Sequence, residues 1–164
     1  MTAEGKPPAA SMTELAELMM PHDANILGKV FGGTVLGMID KAAGTAAIRH
    51  AGRVCVTAQV DRVTFDSPIE IGELVRCVAH VTYVGRTSLE VETCVYAMAI
   101  KTGEERLTNT CFVTMVALDD DGKPTAVPRL LPKTELDRTR YAAGEARMLD
   151  RKAKRQATRR FSAS

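Results

Sequence analysis

The stretch Gly33-Thr-Val-Leu-Gly37-Met-Ile-Asp40-Lys-Ala-Ala-Gly44-Thr-Ala-Ala-Ile-Arg49 decides how this chain folds. It is apolar on nearly every face, yet a carboxylate stands in its middle. At about 100° per residue, Gly33, Gly37, Asp40 and Gly44 fall on one narrow helical stripe. An ionised carboxylate on a buried helix is costly unless it is paired, hydrogen-bonded or wetted by a cleft. Each of the three glycines weakens a helix by roughly 1 kcal/mol relative to alanine. Two costs on one stripe point to close approach by a ligand or by a partner helix.

The helix is expected over residues 34–50, about 25 Å long at 1.5 Å per residue, with Gly52 as its stop. Before it, residues 21–33 read Pro-His-Asp-Ala-Asn-Ile-Leu-Gly-Lys-Val-Phe-Gly-Gly, a turn-rich loop. Residues 11–20 are ambiguous. Ser11 and Glu14 match a capping box and Leu15, Leu18 and Met19 have helical spacing, but a short strand ending at Pro21 fits as well. Residues 1–10 read as a disordered leader.

After Gly52 the character changes to strands. Residues 54–63 are rich in Val and Thr, and three long strand candidates follow at 73–84, 88–100 and 107–118. The connections Gly85-Arg86-Thr87 and Lys101-Thr102-Gly103-Glu104 are too short to cross over, so the strands form an antiparallel meander. Asp119-Asp-Asp-Gly-Lys-Pro closes the sheet. The expected fold class is α+β, a long antiparallel sheet wrapped around a central apolar helix. Residues 11–132 form this domain. One sheet cannot cover the helix all round, so its remaining face is expected to meet a second copy in a symmetric dimer. Residues 133–164 follow as a basic helical extension or tail.

The bulk numbers agree. The 164 residues suffice for one domain with a core, and 45% are hydrophobic. No apolar run approaches the ~20 residues of a membrane span. The first ten residues lack the basic start and apolar centre of a signal peptide, so a cytoplasmic location is expected. Cys55, Cys77, Cys94 and Cys111 are far apart and match no zinc spacing, which reads as buried, reduced thiols. Net charge is +2 but uneven, because residues 133–164 hold ten Lys and Arg against four Asp and Glu. That tail could meet an anionic ligand, nucleic acid or an acidic surface, or it could be a solvated helix. It lacks interleaved aromatics, which argues against nucleic acid.

Chemistry gathers at the helix start. Gly32 and Gly33 leave backbone N–H groups pointing outward at a positive helix end. Such groups suit a polarised carbonyl oxygen. Asp40 suits activation of water, and the amide of Asn25 suits orienting the water or the carbonyl. Together they make a site for hydrolysing an acyl compound without a covalent nucleophile. No Gly-x-Ser-x-Gly elbow, P-loop or dinucleotide fingerprint is present. His22, His50 and His80 are isolated and no metal-ligand spacing occurs, so no metal is expected.

These residues carry a resemblance. The run Asp23-Ala-Asn25-Ile-Leu-Gly28-Lys-Val-Phe-Gly32-Gly33-Thr-Val-Leu-Gly-Met-Ile-Asp40 resembles the signature of hot-dog fold acyl-CoA thioesterases, and is similar to the bacterial YciA and cytosolic acyl-CoA hydrolase group. Val60-Asp61-Arg62-Val63-Thr64-Phe65 with Pro68, Ile69 and Gly72, and Val84-Gly85-Arg86-Thr87-Ser88, resemble further blocks of that group. The match runs from about residue 15 to residue 128 and makes 11–20 largely a strand. The resemblance implies hydrolysis of acyl-CoA to a fatty acid and coenzyme A, with no cofactor beyond the coenzyme A of the substrate. It implies a homodimer, assembled further as a trimer of dimers, with sites at the dimer interface. Asp40 takes the place of the catalytic carboxylate, and Asn25 that of the amide from the facing subunit. Gly33 takes the place whose N–H polarises the thioester carbonyl. Gly85, Arg86, Thr87 and Ser88 fall where coenzyme A can be contacted, with Arg86 available to a phosphate. Two rivals stand beside hydrolysis. A hot-dog hydratase or dehydratase would need a histidine working with an acid. A non-catalytic acyl-CoA binder would not need both Asn25 and Asp40.

Overall fold

The Val- and Thr-rich runs after Gly52 pair into one curled antiparallel sheet. The structure, a computed structural model, describes residues 4–61 and 63–161, with the side chains of 158–161 outside the description. In chain order the elements are β1 (Thr13–Leu18), α1 (Gly32–Ala51), β2 (Cys55–Val60), β3 (Leu74–Val84), β4 (Ser88–Met98), β5 (Glu105–Ala117) and α2 (Glu135–Phe161). The sheet order is β1-β3-β4-β5-β2. β3, β4 and β5 are the expected meander, and β2 and β1 close its two edges.

The ambiguous segment before Pro21 is a strand. Thr13 to Leu18 pair with Ala79 to Leu74 of β3. The open edge of β3 supplies the ladder hydrogen bonds, and this tertiary pairing overrides the local capping-box signal. The reading of residues 1–10 as a disordered leader needs correcting from Lys6 onward; residues 1–3 lie outside the described residues. Lys6 pairs with Leu130, its N–H donates to the Arg129 carbonyl at 2.8 Å, and Pro8 is buried. Backbone pairing with the chain that follows the sheet holds this segment.

α1 packs on one face of the sheet. Ala42, Ala43, Ala46 and Ala47 are fully buried, and their small side chains let the helix lie close on Val75, Ala79, Val91 and Val113. The strands alternate between this core face and the opposite one, as the period of two requires. Gly52 ends the helix in the left-handed conformation, φ 67°, with its N–H donating to the Ile48 carbonyl at 2.8 Å. No Cβ penalty opposes that geometry at glycine.

α2 crosses the opposite face, and charge holds it there. Arg140 meets Glu92 at 3.0 Å, Arg147 meets Glu90 at 2.7 Å, and Arg151 bridges Glu90 and Asp61, each at 2.8 Å. Glu90 is 1% exposed. The Arg147 guanidinium also sits 3.7 Å from the centroid of the Phe112 ring. Gly144 is the point of closest approach: a Cβ there would stand 2.7 Å from Tyr83 and 2.9 Å from Glu90.

All four cysteines are free, and three are buried. Burial pushes the Cys77 and Cys111 thiols up to about 12 and Cys55 up to about 11. They behave as small apolar side chains. Among the described residues, no helix is long and apolar enough to cross a membrane.

Candidate active site

The glycine stripe of α1 is uncovered. Five strands wrap only part of the helix, and Asp40 lies on the part they leave open. In a single chain Asp40 is exposed, between Leu36 at 40% and Ile48 at 44% exposure, on the face of the helix expected to meet a second copy. Beside it, a Cβ on Gly37 would find nothing within 4 Å. The stripe is thus open to a ligand or to a second copy.

Thr57 on β2 reaches across to the helix. Its hydroxyl donates to Asp40 Oδ1 at 2.5 Å. This bond fixes the carboxylate rotamer, and Oδ2 has no partner among the described residues. A β-bulge makes the geometry possible. Thr57 pairs with Met115 on the core side, but Gln59 pairs with Thr114 on the opposite side, because Ala58 is an extra residue between them. Without the bulge, Thr57 and Gln59 would point to the same face. Sequence reading missed Thr57, since one Thr in a Val- and Thr-rich strand carries no distinguishing signal.

Asn25 is held by its own loop. Its Oδ1 accepts the Leu27 N–H at 2.9 Å and the Lys29 N–H at 3.2 Å. Its backbone N–H donates to the Lys29 carbonyl at 2.7 Å. The amide oxygen is therefore occupied, and the NH2 group is the one presented outward. Ile26 and Leu27, next along the loop, are fully and 78% exposed.

α1 starts without a side-chain cap. The Thr34 N–H bonds the Phe31 carbonyl at 2.9 Å, while the Gly32 and Gly33 N–H groups have no hydrogen-bond partner among the described residues. A side chain at Gly33 would collide with the Phe31 ring. Gly33 and Asp40 are separated by seven residues of one helix, about 10 Å along its axis. The structure brings Asp40 and Thr57 together, and sets Asn25 and Gly32 on a shared cleft at the helix start. It does not bring Asn25 or Gly33 to the Asp40 of the same chain.

Gly85 to Ser88 form the β3–β4 turn, closed by the Gly85 N–H on the Ser88 carbonyl at 2.8 Å. Thr87 and Ser88 line a cleft beneath α2 with Gln59, Arg151, Lys152 and Arg155. Arg86 is exposed and outside that cleft. Through the register Ser88–Val116–Val56, the turn lies two strands from β2, about 10 Å.

No histidine partners Asp40 among the described residues. His22 faces Asp23 at 3.6 Å, His80 bonds Glu92 at 2.8 Å, and the buried His50 bonds the Pro128 carbonyl at 3.0 Å. The histidine that a hydratase needs is absent from the Asp40 pair.

Residues 27–104 match the model of the thioesterase superfamily. A Bacillus subtilis protein named uncharacterized acyl-CoA thioester hydrolase YkhA is 43% identical over 117 residues, 71% of this chain and 68% of its own length. A crystal structure of an apo-hexameric acyl-CoA thioesterase superposes with a TM-score of 0.88 at 40% identity, covering 92% of this chain and 97% of that one. The acyl-CoA hydrolase of Staphylococcus aureus, in complex with butyryl coenzyme A and coenzyme A, gives 0.87 at 33% identity, with 95% of each chain covered. Structures of that enzyme also exist with an asparagine, an aspartate or a threonine replaced by alanine. This chain belongs to the acyl-CoA thioester hydrolases of the thioesterase superfamily.

Proposed function

We propose that this chain hydrolyses acyl-CoA to a fatty acid and free coenzyme A, with Asp40 activating the attacking water. The observation that carries the reading is the Asp40 carboxylate pinned through one oxygen by Thr57, with its other oxygen free on an uncovered glycine stripe. Such a group is aimed and open, as a general base must be. The three residues changed in the S. aureus enzyme support it. Their spacings along the chain are those of Asn25, Asp40 and Thr57 here.

In the proposed reaction the thioester carbonyl oxygen lies at the N-terminus of α1, where the Gly33 N–H polarises it. The outward NH2 of Asn25 donates to the carbonyl or the water. Asp40 takes a proton from water, the oxygen attacks the carbonyl carbon, and the thiolate of coenzyme A leaves. The 10 Å between Gly33 and Asp40 on one helix means that these roles come from two chains. A two-fold axis beside the stripe would set Asn25 and Gly33 of one copy against Asp40 of the other. The bare Leu36, Ile48, Val54, Val56 and Val60 are the apolar surface such a dimer would cover. Dimers joined in threes would give the hexamer described for the apo-hexameric relative. Thr87 and Ser88 contact the coenzyme A, which is part of the substrate; no separate cofactor is needed. The setting is cytoplasmic.

Release of free thiol from a series of acyl-CoAs tests the reaction, with Asp40→Asn as control. Loss of turnover by orders of magnitude in a folded variant supports the role of Asp40. Near-wild-type hydrolysis by Asp40→Asn would remove it.

A further inference from the structure

We infer that Gln59 and Asp61 are positioning residues for the Asp40–Thr57 pair, and that α2 holds them in that role through Arg151. This role rests on the hydrolase reading above and gives α2, which lies outside the matched residues 27–104, a task in it.

The edge of the sheet needs such a device. β2 has a ladder partner on one side only, β5. Its bulge at Ala58 turns Thr57 toward Asp40 while Gln59 takes the opposite face. A bulge leaves one residue unpaired, and sliding half of the strand by one residue would erase it. Every side chain on the slid half would then change face. Burial in a single chain does not oppose that slip, because Val56, Ala58 and Val60 are all exposed.

A run of polar contacts on the outer face fixes the register. Gln59 Nε2 donates to Asp61 Oδ1 at 2.7 Å, and Arg151 Nη1 donates to Asp61 Oδ2 at 2.8 Å. The Asp61 backbone N–H donates to the Phe112 carbonyl at 2.9 Å. Both side-chain bonds end on a carboxylate, which makes them the stronger kind. Arg151 is itself tethered, since it also donates to Glu90 at 2.8 Å, and Glu90 is 1% exposed and bonded to Arg147.

Asp61 thus spends one oxygen on α2 and the other on Gln59, and passes the position of the helix to the strand. If the bulge slipped, either Gln59 would turn from Asp61 toward α1, or Thr57 would turn from Asp40 toward α2. The first places an amide against the core side, and the second frees the carboxylate. The route from helix to carboxylate runs through Arg151, Asp61, Gln59, the bulge, Thr57 and Asp40, and each side-chain step is a hydrogen bond.

Steady-state thioesterase kinetics and crystal structures test this role. Gln59→Leu keeps the bulk of the side chain and removes its donor, while the Arg151–Asp61 and Arg151–Glu90 pairs remain. Its kcat should fall about tenfold, as for a misplaced reacting group. KM and Tm should stay at the wild-type values, since the residue is exposed. If Gln59 acts through Thr57, the double variant Thr57→Val/Gln59→Leu is no slower than Thr57→Val alone, whereas independent roles multiply. Gln59→Glu sets two carboxylates together and should lose more rate. Adding Asp61→Asn restores the hydrogen bond with donor and acceptor exchanged, and should recover most of that loss. Wild-type kcat in Gln59→Leu, or a raised KM at unchanged kcat, would overturn the assignment. So would rate losses that multiply in the double variant, or a Gln59→Glu that Asp61→Asn does not rescue. If the wild type hydrolyses no thioester, the hydrolase reading fails separately. Crystal structures of the wild type and Gln59→Leu then still decide: a lost or lengthened Thr57–Asp40 bond supports the positioning role, and an unchanged bond contradicts it.

Discussion

The Thr57 hydroxyl donates to Asp40 Oδ1 at 2.5 Å, tying the middle of α1 to the edge strand of the sheet. One bond thus sets where the free carboxylate oxygen points. Thr57→Val keeps the shape and removes the donor. Its kcat should fall about 10- to 100-fold, the scale of a misplaced reacting group. Its Tm should hardly move, because Thr57 lies on an exposed edge. Thr57→Ser should recover most of the rate.

Asn25 works through both ends of its amide. The oxygen closes the loop on the Leu27 and Lys29 N–H groups, and the nitrogen faces out. Asn25→Asp keeps the loop bonds and loses only the outward donor. Steady-state assays should show kcat reduced about 100-fold, as for loss of one donor to a developing oxyanion, with Tm unchanged. Asn25→Ala should lose comparable rate and also some stability. A fully active Asn25→Asp would show that the loop geometry, not the donor, is what matters.

Glu90 is the buried anchor of α2, bonded to Arg147, Arg151 and the Thr82 hydroxyl. Glu90→Ala leaves two guanidinium groups without their shared counter-ion. Breaking a buried pair this way costs about 3 kcal/mol. For a domain of this size that is a fall in Tm of roughly 10 °C, readable by calorimetry.

His50 is fully buried on α1, and burial lowers its pKa below the usual 6.5. Its Nε2 donates to the Pro128 carbonyl, and its Nδ1 is buried without a partner among the described residues. The folded state therefore favours neutral imidazole. As pH falls below 6.5 the unfolded chain binds a proton that the folded chain refuses, so stability declines with acidification. His50→Gln keeps a donor for Pro128 and cannot titrate. Between about pH 7 and pH 5, thermal melts should show a steeper loss of Tm for the wild type than for this variant.

Much of the fold was legible in the residues. Val- and Thr-rich runs between short Gly turns marked the meander, and Gly52 marked the end of α1, because those features act locally. What escaped depends on distant partners. Thr57 becomes special only when the bulge at Ala58 aims it at Asp40, 17 residues away. Glu90 looked like any strand carboxylate until Arg147 and Arg151 closed on it from α2. Residues 6–8 have a loop-like composition, yet Leu130 gives them a backbone partner. Asp40 and Asn25 stood out in the sequence, but one chain holds them apart.

That separation gives the most direct test. Asp40→Asn and Asn25→Ala, each inactive alone, are co-expressed so that subunits mix. If every site takes Asp40 from one copy and Asn25 from the other, each mixed dimer holds one intact site. Random pairing then restores about a quarter of wild-type thioesterase activity. If both residues serve from the same chain, no mixed dimer has an intact site, and activity in the mixture stays at the level of the two inactive variants.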